Sequence, residues 1–266
     1  MFTVTVGADQ VTVNQPMTQV GSPGVEFVVR SAQSFSFVEF LGPVTLLAPC
    51  HLSDCLVSMG PRYYPPKQAY GVNVQPGAAG SILERVTVRP TDPTAYTADG
   101  IGAFGDVTTI NCDISGTVDG FGWNGGNWTD TGSRIHDLIR YDVDVNHTDG
   151  THNDGMQGQS LGVMRLTGTS IDVTSTLGTG SLSCFMFNKP ASFYGDGLTL
   201  LGGSVPVNLA ALMTVFELTN SRIGYGRQLI AGQYAGVIAS AANRAVMKLT
   251  GTLMVDGKPL IVANGA

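Results

Sequence analysis

Between Arg134 and Gln157 the sequence gathers Arg134, His136, Asp137, Arg140, Asp142, Asp144, His147, Asp149, His152 and Asp154. Ten of the chain's 38 charged or histidine residues thus fall within 24 positions, where an even spread would place about three or four. Three of the four histidines are among them. Imidazole exchanges protons near neutral pH, and neighbouring carboxylates can divide into an acid and a base. Carboxylates at this density also suit a hard cation such as Ca2+, for which Asp142, Asp144 and Asp149 are the weak candidates. No cofactor is required by the rest of the sequence. For each aspartate taken singly the alternative is a turn or a solvated loop, as at Asp149-Gly150 and Asp154-Gly155.

Just upstream, the run Asp119-Gly120-Phe121-Gly122-Trp123-Asn124-Gly125-Gly126-Asn127-Trp128 holds both tryptophans in a Gly/Asn-rich stretch. Read as a surface loop, its rings and amides suit the apolar faces and hydroxyls of sugars. The competing expectation is that one or both rings fold back over the edge of a neighbouring element. If the loop and the charged stretch occupy equivalent places in adjacent repeats, they line one groove.

The elements that must carry these residues are β-strands. Glycine numbers 35 of 266, and aspartate outnumbers glutamate by 16 to 4, a bias towards turns over helices. With 43% hydrophobic and 13% charged residues the chain has ample material for a core. Short β-type segments recur at Leu83–Val88, Val107–Cys112 and Ser133–Leu138, 24 and 25 residues apart when Val86, Ile110 and Ile135 are superposed. Later repeats follow near Val163, Leu198, Phe216 and Met247 at less even spacing, as loops inserted on one side would produce. A period near 24 predicts an all-β solenoid, with the Ala-rich stretch 205–213 the one short window of helical character. Residues 1–24 are expected to form a strand pair, cap or oligomer-forming arm, and residues 25–266 the solenoid with a C-terminal capping segment.

A net charge of −6 and a pI near 5.0 speak against nucleic acid as a partner. No run reaches the roughly 18 apolar residues of a membrane span. The N-terminus lacks the basic and apolar regions of a signal peptide, which predicts exit by another route, such as inside a virus particle. Cys112 sits in an apolar run and reads as a buried thiol, while Cys50 and Cys55 are open between two thiols and a bridge.

The run Asn111–Gly120, then Ile135-His136-Asp137-Leu138, then His147-Thr148-Asp149-Gly150-Thr151-His152-Asn153-Asp154-Gly155-Met156-Gln157, resembles the pectate-lyase-like right-handed parallel β-helix superfamily, in the branch found in actinobacteria and their phages. The resemblance covers roughly residues 70–190 and implies a right-handed parallel β-helix. It places His152, Asp154 and Gln157 in the shared groove motif, with His136 and Asp119 as neighbours. The arginine or lysine base and the calcium-binding aspartates of true pectate lyases cannot be placed in this sequence. Members include polysaccharide lyases, glycosidases and phage tail proteins that bind or cut host glycans.

Two functions follow as expectations. The first is a phage minor tail protein in the virion, with a homotrimer as a candidate assembly, contacting other tail proteins and host-surface polysaccharide. The second is a glycan depolymerase on the same fold, with catalytic candidates His152, Asp154, His136 and Asp119. Elimination would use His152 or His136 as base and Arg134 or Arg140 against a uronate carboxylate. Hydrolysis would use Asp154 with Asp119 or Asp149. Either reading takes Trp123, Trp128, Gln157, Asn153, Arg134, Arg140 and Tyr141 as substrate-binding candidates.

Overall fold

The computed structural model describes residues 2–6, 9–13, 16–59, 70–92, 99–140, 151–174, 181–230 and 233–264. The chain winds into a right-handed parallel β-helix with three long parallel sheets of ten, nine and ten strands. Sheet 1 runs from Phe27–Val29 to Val262–Asn264, sheet 2 from Gln33–Ser36 to Met247–Thr250, and sheet 3 from Thr18–Val20 to Leu253–Met254. Each coil visits sheet 1, sheet 2 and sheet 3 in that order and then rises by one strand spacing, about 4.8 Å. Thr18–Val20 already pairs with Val38–Phe40, so the solenoid begins inside the segment expected as a separate N-terminal part. A hairpin of Phe2–Val6 with Asp9–Val13 precedes it.

The interior is built from columns of one inward residue per coil. In sheet 1 the column is Val44, Val72, Ile101, Phe121, Met156, Phe185, Val207 and Val237. In sheet 3 it is Phe40, Val57, Val88, Ile114, Ile135, Ile171, Leu200, Ile223 and Met254. All are fully buried. Each such side chain contributes about 1.5–3 kcal/mol when removed from water. A single coil cannot bury its own inward face, so stacking and folding are one event.

Sheet 2 turns into sheet 3 through a tight corner. Its first residue has a left-handed backbone in successive coils: Phe37, Asp54, Arg85, Asn111 and Asn220, with glycine at 132, 168, 197 and 251. Asparagine and aspartate tolerate this conformation; phenylalanine and arginine rarely adopt it. Arg85 is held there by two bonds to the corner residue one coil below, Nε to Asp54 Oδ1 at 2.7 Å and Nη2 to Asp54 Oδ2 at 2.8 Å.

These corners correct the repeat read from sequence. Leu83–Val88 is not one strand: Ser81–Glu84 lies in sheet 2 and Thr87–Pro90 in sheet 3, with Arg85 turning between them. Ile110 pairs with Glu84 and Thr131, so the true steps there are 26 and 21 residues. Across the fold a coil takes from 17 residues (Gln33 to Cys50) to 36 (Trp128 to Met164). The stretch 205–213 contains a strand, Val207–Leu209, and the helix is Ala241–Val246, capped by the Ser240 hydroxyl accepting from Asn243 N. Cys50, Cys55, Cys112 and Cys184 are all buried free thiols, so Cys50 and Cys55 are not bridged. Among the described residues no helix is long and apolar enough to cross a membrane.

The start of sheet 1 is packed to its limit. A β-carbon on Gly120 would lie 2.4 Å from the Gly155 carbonyl oxygen and 2.5 Å from Ile135 Cγ2. Gly100 and Gly155 meet Ile114 and Ile171 in the same way. Gly120→Ala is expected to cost about 1–3 kcal/mol or more, because a main-chain oxygen cannot rotate aside. Urea denaturation at constant slope measures it; an unchanged midpoint would show that the coils can part at this corner.

Candidate functional site

Asp99, Asp119 and Asp154 each stand immediately before one of these inward glycines. The glycine and the residue after it both face inward, so alternation is broken here, and Asp99 and Asp119 lie near Tyr70, whose phenol feels both charges. The three aspartates stack in successive coils and are 4%, 3% and 1% exposed. Asp99 Oδ1 accepts from Asp119 N at 3.1 Å, and Asp119 Oδ1 accepts from Asp154 N at 2.7 Å. The Ser183 backbone N–H continues the series onto Asp154. Each carboxylate thus braces the main chain of the coil above.

Asp154 differs from the other two. Its Oδ1 is buried without a hydrogen-bond partner. Burial pushes its carboxyl up to about 7, the Ser183 N–H opposes this, and the charge of Asp99 adds to it. Asp154 is therefore largely protonated below neutrality.

Beyond this ladder the outward row of sheet 1 reads Thr45, Asn73, Gly102, Gly122, Gln157, Met186 and Asn208, polar through its middle coils. The Tyr70 ring lies flat over Gly102, where a β-carbon would come within 2.4 Å of it, and extends over Gly122. Its hydroxyl accepts from Asn124 Nδ2 at 2.9 Å, and burial with the nearby Asp99 charge keeps the phenol protonated. Around it stand side-chain amides. Gln75 Nε2 donates to Asn73 Oδ1 at 2.9 Å, and Gln159 Nε2 donates to Gln157 Oε1 at 2.9 Å. Asn73, Asn124 and Gln157 are half-buried and Gln159 is exposed, so each pair turns spare donors and acceptors to solvent.

The structure brings together Asp119, Asp154 and Gln157 among the residues singled out from sequence. It does not bring His136 to them. That histidine lies on sheet 3, clamped between Asp137 Oδ2 at 2.5 Å from Nδ1 and Asp113 Oδ1 at 3.1 Å from Nε2. Asp113, then Asp137, raise its pKa against the opposing effect of burial. Arg134, two residues away on the same strand, is exposed. Arg140 and His152 are half-buried. Tyr141, Asp142, Asp144, His147 and Asp149 lie outside the described residues.

The expected tryptophan loop is corrected. Trp123 and Trp128 are fully buried, one in sheet 1 and one in sheet 2. Trp123 Nε1 donates to Gly126 O at 3.0 Å, and Trp128 Nε1 donates to Thr109 Oγ1 at 2.8 Å. Phe121 packs on Trp128 with ring centroids 4.5 Å apart. The rings found partners for their N–H groups inside, so nothing holds them at the surface. Asn153 is also fully buried, its amide donating to Val118 O and Ile139 O. Asp154-Gly155, read as a turn, is the start of a strand.

Sequence reading passed over Asp99, Tyr70, Asn73 and Gln159. A signal for the ladder was present: Asp99-Gly100-Ile101-Gly102, Asp119-Gly120-Phe121-Gly122 and Asp154-Gly155-Met156-Gln157 repeat one pattern at one register. Among the described residues no group of three or more His, Cys, Asp or Glu side chains is arranged to hold a metal ion. In the ladder, Asp99 and Asp119 each spend an oxygen on a main-chain N–H. Compared with protein-family models, curated proteins and solved structures, the chain matches none.

Proposed function

We propose that this β-helix binds polysaccharide along the outer face of sheet 1 and does not cleave it. The observation that carries this reading is the commitment of three of the four candidate acids and bases, Asp119, Asp154 and His136, to the fold. Asp119 and Asp154 are enclosed and accept main-chain N–H groups. His136 has both ring nitrogens engaged by carboxylates, which favours the imidazolium and removes a base. What remains open is a row of side-chain amides from Asn73, Asn124, Gln157 and Gln159, suited to exchanging water for sugar hydroxyls.

The biological setting we propose is a phage minor tail protein of the pectate-lyase-like superfamily, contacting host-surface polysaccharide and neighbouring tail proteins in the virion. The sequence resemblance supports it, as does the fold class. A depolymerase is the second reading. Asp154 favours it, as a carboxyl protonated near neutrality with one oxygen lacking a partner.

Binding to a panel of purified bacterial envelope polysaccharides, with reducing ends and ultraviolet absorbance followed in parallel, separates the two. The expected result is binding without product. In the triple variant Asn73→Ala, Asn124→Ala, Gln157→Ala, at about 1 kcal/mol per lost hydrogen bond, affinity falls on the order of a hundredfold. New reducing ends or unsaturated products, abolished by Asp154→Asn, would replace the binding reading with the enzymatic one.

A further inference from the structure

We infer that sheet 2 carries a second, separate saccharide subsite that takes one neutral pyranose ring. It is a furrow of about 210 Å3 lined by Arg165, Thr167, Tyr194, Asp196, Glu217 and Thr219. Sites for drug-sized ligands span about 300–1,000 Å3, so this one is sized for a single ring.

Two outward columns make the furrow. Arg165, Tyr194 and Glu217 follow one another in successive coils, and Thr167, Asp196 and Thr219 stand two residues further along the same strands. The Arg165 guanidinium carbon lies 4.2 Å from the centroid of the Tyr194 ring. That stacking fixes the plane of the guanidinium and leaves its N–H edge open. Tyr194 also separates Arg165 from Glu217, which stands two coils away, about 10 Å. Among the described residues Arg165 makes no hydrogen bond or ion pair. An oriented donor fork without an anion, on a protein of net charge −6, is a group prepared for something else.

The acceptors opposite are also held in place. Asp196 Oδ1 accepts from Thr219 Oγ1 at 2.7 Å and from Asn220 Nδ2 at 3.0 Å, and these bonds lower its pKa. Among the described residues Glu217 has only a loose ionic neighbour, Lys248 Nζ at 3.9 Å, whose side chain is 72% exposed. A hydroxyl both donates and accepts, so hydroxyls on opposite sides of one sugar ring lying over Tyr194 can take N–H groups from Arg165 and donate to Glu217. Charge selects the ligand class. Arg165 and Lys248 offset Asp196 and Glu217, so the furrow has no net charge to draw an acidic sugar. The furrow therefore suits a neutral sugar.

Saturation-transfer NMR tests this with methyl glycosides of glucose, galactose, mannose and glucuronic acid as probes. At least one neutral glycoside should receive saturation from the wild-type protein. In Arg165→Gln and in Glu217→Gln its affinity should fall about tenfold or more, as for a hydrogen bond to a charged group. Both side chains point outward, and unchanged circular dichroism and thermal midpoint verify the fold. The sheet 1 triple variant should keep the signal, which separates this subsite from the proposed polysaccharide face. The inference is overturned if no neutral glycoside binds, if the glucuronide binds best, or if the signal survives Arg165→Gln and disappears in the sheet 1 variant.

Discussion

Asp130→Ala is expected to destabilise the fold by about 3 kcal/mol or more, the cost of leaving three buried hydroxyl donors without their acceptor at about 1–3 kcal/mol each. Asp130 occupies the inward column of sheet 2, between Thr109 and Leu166, in a row that is otherwise largely leucine. It is fully buried, and burial raises its pKa. Three hydroxyls from three coils converge on it. Thr109 Oγ1 donates to Oδ1 at 2.6 Å, Ser133 Oγ donates to Oδ1 at 2.5 Å, and Thr169 Oγ1 donates to Oδ2. The Thr109 oxygen in turn accepts the Trp128 indole N–H, and the Ser133 oxygen accepts Cys112 N. Alanine leaves three donors facing a void, whereas asparagine keeps one acceptor and should cost less. Urea denaturation at constant slope distinguishes them. Equal midpoints for the alanine variant and wild type would mean that the network contributes nothing net.

Asp154→Asn is expected to make the protein more stable at pH 8 and to change little at pH 4. The folded carboxyl, raised to about 7, holds a proton that the unfolded chain releases near its ordinary value. The folded state therefore binds more protons through the interval between about 4 and 7, and stability declines as pH rises across it. Above 7 the loss is complete, with an upper limit of roughly 4 kcal/mol. Asparagine retains an oxygen for the Ser183 N–H and has no charge to bury. Its gain is reduced by the cost of placing an N–H2 group where Oδ1 has no partner. Raised pKa values at His136 and Asp130 slope the same way, so the wild-type thermal midpoint should drop from pH 5 to pH 8. A pH profile identical in the variant would show that Asp154 is ionised throughout.

Sequence reading recovered the architecture because stacking demands regular apolar positions, and the Val, Ile and Leu of sheets 1 and 3 supply them. It misplaced the register because the tight corner lies inside runs such as Leu83–Val88, where an arginine takes a conformation that composition assigns to glycine. Trp123 and Trp128 were set in a loop because glycine and asparagine surround them. Gly122 lies beneath the Tyr70 ring, Gly120 packs against Ile135, Gly125 and Gly126 approach the main chain of the coil below, and the tryptophan rings fill the interior. Asp119, Asp154 and Gln157 were found from their residue types. Asp99 was not, although it shares the Asp-Gly pattern of Asp119, and Tyr70 joins the site through pairing between coils, which only the fold supplies.

The corner from sheet 2 to sheet 3 spans one residue in the first coil and two in every later one, whereas the passage from sheet 3 back to sheet 1 ranges from three residues after Phe40 to sixteen after His136. Insertions and deletions are therefore tolerated on one flank and rejected on the other. A lineage carrying this fold can lengthen, shorten or exchange the passages between sheet 3 and sheet 1 without re-indexing a single coil, so that flank is free to change while its scaffold stays in step.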